Sequence, residues 1–130
     1  FKNFLNAFVP MLTVDTIGTW LEHDFTAFLY YDAVGAWPGL VARLKSGVNL
    51  EDARTALAAM EGGNIHGFYL NSPGTVIVPF KDGQVGTHSS RYMVFSESGS
   101  AFNYAFVGGT HLLISTNYEG AKRATALLGL

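Results

Sequence analysis

The 130-residue chain carries 14% charged residues, against about 25% in a typical soluble domain, while its apolar fraction of 48% is ordinary and its net charge is −2. Its eight Lys and Arg form no basic stripe, which argues against a nucleic-acid partner, and the absence of cysteine removes disulfides, thiol catalysis and Cys-ligated zinc. The longest apolar stretch, Phe25 to Leu44, is broken by Asp32, Pro38 and Arg43, so no run reaches the roughly 18 residues a membrane-crossing helix needs.

Phe1, Phe4, Leu5 and Phe8 recur at helical spacing before Pro10, which predicts a short, very apolar N-terminal helix. Asp15 to Leu21 reads as a second short helix, capped by Thr13 or Asp15 and interrupted by Gly18. Phe25 to Tyr31 and Leu40 to Lys45 have strand character, and Gly35, Pro38 and Gly39 between them suit a hairpin. Asn49 then caps an amphipathic helix with Leu50, Ala53, Leu57 and Met60 on one side, ended by Gly62 and Gly63.

Beyond Asn64 the pattern becomes short strands: Ile65 to Leu70, Thr75 to Phe80, Arg91 to Phe95, Ala101 to Val107 and His111 to Thr116. Turn chemistry separates them at Asn71-Ser72-Pro73-Gly74, Lys81-Asp82-Gly83-Gln84, Ser98-Gly99-Ser100 and Gly108-Gly109. Thr116 with Glu119 reads as a capping box opening a C-terminal helix. The expected fold is therefore a single α+β domain over residues 1–130: a mostly antiparallel β-meander with two strand-to-helix units and a short apolar N-terminal helix. The start at Phe1, without Met or a charged leader, is expected of a fragment of a longer chain.

The helix beginning at Asn49 and the one beginning at Asn117 share the pattern N-x-E-x-A-[RK]-x-A, which fits either an internal duplication or ordinary helix-start chemistry. The strands are apolar on both sides, Phe102, Tyr104 and Phe106 alternating with Asn103, Ala105 and Val107. If the helices cover one face, the other needs a partner, a second copy or further sequence; a strongly curled sheet that covers itself is the alternative.

Chemistry is sparse. Four histidines, at 23, 66, 88 and 111, lie apart and at no metal-ligand spacing, so no metal is expected. Thr87-His88-Ser89-Ser90-Arg91 is the densest polar segment, and strand alternation would put His88 and Ser90 on one side, a candidate base and nucleophile with Arg91 beside them. It lacks an orienting carboxylate and a Gly-x-Ser-x-Gly elbow, and a polar loop leading into Tyr92 explains it as well. His23-Asp24 offers either a proton-transfer pair or a helix C-terminus closed by histidine. The glycines coincide with turns and form no phosphate-cradling loop, so no nucleotide or other cofactor is expected. Trp20, Tyr30, Tyr31 and Trp37 could stack against a sugar or peptide, or belong to the core.

Taken together, Trp20-Leu21-Glu22-His23-Asp24-Phe25-Thr26-Ala27-Phe28, the strand Leu40-Val41-Ala42-Arg43-Leu44, the helix from Asn49 and the strand His111-Leu112-Leu113-Ile114-Ser115-Thr116 before a helix resemble an uncharacterised family of bacterial membrane-anchored extracytoplasmic domains of unknown function. The resemblance spans most of the chain, with Glu22-His23-Asp24 standing where that family has a Gly-containing segment. It implies an extracytoplasmic location and an N-terminal membrane anchor outside this sequence, and it brings no catalytic residues.

The expected function is a non-catalytic interaction or structural module of a larger extracytoplasmic protein or assembly. It would contact a protein partner or a second copy through Phe1, Phe4, Phe8 and one sheet face. A small-ligand or glycan binding domain using the aromatic set, and a small hydrolase using His88 and Ser90, are the alternatives.

Overall fold

A computed structural model describes residues 20–62 and 65–129, the side chains of His23 and Met60 excepted. Among the described residues the sheet has six strands: β1 (Leu21–Tyr31), β2 (Ala36–Leu44), β3 (Val76–Val85), β4 (His88–Phe95), β5 (Ala101–Val107) and β6 (His111–Ser115). Helix α1 (Leu50–Ala58) follows β2, and α2 (Tyr118–Leu128) follows β6. The strand order is β1-β2-β6-β5-β4-β3, and every neighbouring pair is antiparallel. The chain makes a hairpin, crosses through α1 to the far edge, and meanders back until β6 docks on β2.

The alternation along β2, β5 and β6 explains why both sides of the strands are apolar. Leu40, Ala42 and Leu44, with Phe102, Tyr104 and Phe106 and with Leu112 and Ile114, meet Ala53 and Leu57 of α1 on one face. Val41, Ala105, Val107 and Leu113 meet Ala121 and Ala124 of α2 on the other. The two helices therefore cover opposite faces of the central strands, which is neither the one-sided covering nor the self-covering curled sheet that the sequence left open. Fully buried Phe102, Leu112 and Ile114 each contribute about 1.5–3 kcal/mol relative to exposure. The two N-x-E-x-A-[RK]-x-A segments thus lead to helices on opposite faces, which fits shared helix-start chemistry better than a repeated ββα unit.

Asn49 caps α1 as expected, its Oδ1 accepting from the Glu51 and Asp52 N–H groups at 2.9 and 3.2 Å. At α2 the cap is Asn117, whose Oδ1 accepts from Gly120 N–H at 2.9 Å. The Thr116 hydroxyl instead donates to Pro38 C=O at 2.7 Å, so the Thr116–Glu119 capping box does not form.

Other boundaries differ from expectation for local reasons. Leu21 belongs to β1, not to a helix. Helix α1 runs into a 3-10 turn, Ala59–Gly62, without a positive φ at Gly62. The expected strand at Ile65 to Leu70 is a second 3-10 turn, His66–Phe68. Ile65 and Phe68, three apart, are both buried by that turn, whereas strand alternation would send them to opposite faces. Lys81-Asp82-Gly83-Gln84 continues β3, and the reversal falls at Gly86, where φ is +61°. Gly83 serves close approach, because a Cβ there would stand 2.6 Å from the Tyr92 ring. The apolar N-terminal helix of Phe1, Phe4 and Phe8, most of the Asp15 to Leu21 segment, and Gly63 lie outside the described residues. No helix among the described residues is long and apolar enough to cross a membrane.

Candidate functional site

The most developed polar site lies on the α1 face, in a cavity of about 370 Å³ bounded by α1, the 3-10 turn after it and strands β3, β4 and β5. The Asn49 cap fixes where α1 starts, burial of Ala53 and Leu57 fixes its rotation, and the following turn carries Glu61 over β4 and β5. Asp82, Arg91 and Tyr104 stand side by side on adjacent strands. Glu61 accepts from Arg91 Nε at 2.9 Å and Nη2 at 2.6 Å and from the Tyr104 hydroxyl, while Arg91 Nη1 donates to Asp82 Oδ1 at 3.1 Å. The two-pronged Arg–carboxylate contact is the strong form of such a bond.

Arg91 holds the Glu61 carboxyl below its ordinary range; burial opposes this and the Tyr104 hydroxyl adds to it. Burial raises the Tyr104 hydroxyl, and the adjacent Glu61 anion raises it further. Glu61 raises Arg91, against the effect of burial. Near neutral pH the cluster is thus a carboxylate, a neutral phenol and a guanidinium, each shifted away from the range where it would exchange protons. Its chemistry suits a clamp that fastens the end of α1 to the sheet.

His88 and Ser90 do share a side, the α2 face, opposite Val85 and Gly83. Arg91 points to the other face and is held by Glu61 and Asp82. The buried Ser90 Oγ has no hydrogen-bond partner among the described residues, so His88 does not hold it as a base would. The aromatic set is dispersed as well. Tyr30 and Trp37 are cross-strand partners on the α2 face, Trp37 buried and Tyr30 against Gly120. Trp20 packs on the α1-side core, and Tyr31 is exposed. His111 Nδ1 lies 2.7 Å from the Thr110 hydroxyl, and the His23 side chain lies outside the described residues. Among the described residues no group of three His, Cys, Asp or Glu converges as metal ligands.

No protein-family profile, curated protein or solved structure matches this chain.

The remaining candidate is an edge. At β3 the outer strand is broken by register shifts between Val76 and Val78 and between Val78 and Lys81, and Pro79, Lys81 and Asp82 are exposed along it. Bulges, proline and charge are the usual guards against strand addition. From Phe25 to Tyr31, β1 is different: its register with β2 is unbroken and it holds neither charge nor proline. Leu29 and Tyr31 are 46% and 69% exposed; Val76 and Ile77 on β3 are 49% and 60% exposed, so the edges differ in bulges, proline and charge and not in apolar exposure.

The direction of the β1 backbone groups follows from the next strand. Thr116 N–H donates to Pro38 C=O at 3.2 Å and Leu44 N–H to Thr110 C=O at 2.8 Å, so even-numbered residues of β2 bond to β6. The odd-numbered ones, Trp37, Gly39 and Val41, then bond to Tyr30, Phe28 and Thr26. Ala27, Leu29 and Tyr31 consequently turn their N–H and C=O groups outward, and among the described residues no strand pairs with them. The sequence reading missed this edge, locating excess apolar surface on the N-terminal helix and the late meander. The run Phe-Thr-Ala-Phe-Leu-Tyr-Tyr, free of charge and proline, was the available signal, but only the strand order marks it as an edge.

Proposed function

We propose that this domain is a non-catalytic interaction module that receives an extended strand along the β1 edge, within a larger extracytoplasmic protein or assembly. The carrying observation is the contrast between the two edges: β3 exposes Val76 and Ile77 but is broken by bulges, proline and charge, whereas the Phe25–Tyr31 stretch of β1 has none of these, and Ala27, Leu29 and Tyr31 present backbone groups that no strand pairs with among the described residues. The cavity cluster supports a non-catalytic role because its charges satisfy one another. The low charge of the chain and its resemblance to anchored extracytoplasmic domains support the location.

Dye binding tests this role. The dilute folded protein is expected to bind a fluorescent hydrophobic dye, and Leu29→Lys and Tyr31→Lys to lose most of that signal with unchanged urea midpoints. A folded wild type that binds no dye, or dye binding untouched by both substitutions, contradicts it.

A further inference from the structure

We propose that β1 pairs antiparallel with β1 of a second copy of this chain, about a two-fold axis through Leu29; this rests on the open-edge function above and names its partner.

An isologous contact needs a self-complementary surface. Backbone geometry supplies the first condition. With Ala27, Leu29 and Tyr31 facing outward, a register centred on Leu29 sets Leu29 opposite Leu29 and Ala27 opposite Tyr31 of the second copy, so every outward group meets another outward group. A register shifted by one residue would set outward groups against residues already bonded to β2.

Charge excludes one of the other permitted registers. Centring on Phe28 would also pair Phe25 with Tyr31, but it places Asp24 opposite Asp32, and like charges directly opposite are destabilising. Centring on Leu29 places Asp32 opposite Thr26 and Asp24 opposite Val34. The side chains agree with that choice. A two-fold axis perpendicular to the sheet keeps each face on its own side, so exposed Leu29 pairs with itself and Tyr31 covers Ala27 on the α1 face. On the α2 face Phe28 meets Tyr30, an aromatic cross-strand pair of a kind that stabilises sheets.

The six-stranded sheet is thereby continued into a second one of the same kind, with the guarded β3 edges outermost. The contact is short and belongs with interfaces below about 1,200 Å², which are weak and reversible.

Analytical ultracentrifugation from the low micromolar to the millimolar range tests the dimer. Wild type is expected to shift from monomer mass to twice that mass, and Leu29→Lys and Leu29→Glu each to remain monomeric with unchanged urea midpoints. An equimolar mixture of the two is expected to dimerise, because each lysine then faces a glutamate across the axis. The chain has no cysteine, so Leu29→Cys is expected to cross-link to itself under mild oxidation, and Tyr31→Cys, which faces Ala27, to cross-link far less. Wild type that stays monomeric to millimolar concentration, a Leu29→Lys protein that still dimerises, or preferential cross-linking at position 31 overturns the proposal. If the wild type stays monomeric while still binding dye as above, the second copy is wrong and the open edge stands; a folded protein that does neither removes both.

Discussion

The Phe28 ring stands over Gly39, its cross-strand partner, so closely that a Cβ at position 39 would stand 2.2 Å from Cζ and 2.6 Å from Cε2. This fixes how β1 is held. The ring packs against the glycine of β2, which joins β1 to the sheet through its inner edge, and among the described residues no strand pairs with its outer edge. Tyr92 also covers a glycine, Gly83, at the β3–β4 pair, but diagonally, since the cross-strand partner of Gly83 is Ser90.

Gly39→Ala is accordingly expected to displace the ring and to lower stability by about 1–3 kcal/mol, the usual cost of overpacking. Gly35→Ala is a matched control, because a Cβ there meets nothing within 4 Å. Urea unfolding of both variants checks the difference, and equal midpoints would show that the ring yields at no cost.

Glu61→Ala is expected to destabilise the protein by about 2–3 kcal/mol, since it leaves the Arg91 guanidinium and the Tyr104 hydroxyl without their shared acceptor. The pH dependence follows from the lowered Glu61 carboxyl. Its contribution is fully present above the ordinary value of 4.5 and is lost as pH falls through the lower folded value. Wild type should therefore lose stability between neutral and strongly acidic pH more steeply than Glu61→Gln. Urea midpoints measured across that range read the difference, and parallel curves would show that Glu61 is not held by Arg91.

Asn117→Ala is expected to cost more than Asn49→Ala, for which about 1 kcal/mol is typical of a lost cap. Asn49 only caps, whereas Asn117 also donates from Nδ2 to Gly99 C=O at 2.8 Å, tying α2 to the β4–β5 turn. Thermal unfolding of the two variants gives the order.

Ser90→Ala is expected to leave stability unchanged or to raise it by up to about 1 kcal/mol, because the buried Oγ has no partner among the described residues to lose. The same variant bears on the hydrolase alternative. An esterase activity in wild type that disappears in Ser90→Ala would establish a nucleophile that the resting geometry does not prepare.

Local chemistry made much of the fold legible. Asn49, the alternation of Phe102, Tyr104 and Phe106, and the apolar run ending at Ser115 each identify their element without help from distant residues. Where a distant residue decides, the sequence was silent. Gly83 reads as a turn until Tyr92 is seen above it. Ile65 and Phe68 fit a strand until both are found buried by one short turn. The Glu61–Arg91 clamp joins residues 30 apart in sequence, and neither stands in a motif. His88 and Ser90 were correctly expected on one side, yet only the structure sends Arg91 away from them. The open edge lies between these cases, since its composition was visible and its place in the strand order was not.

Residue-resolved amide hydrogen exchange on dilute protein tests the central claim most directly. If the β1 edge is open, the amides of Ala27, Leu29 and Tyr31 exchange rapidly while those of Thr26, Phe28 and Tyr30, bonded to β2, are protected. Equal protection of both sets in the monomer would mean that the edge is already covered and would contradict the claim.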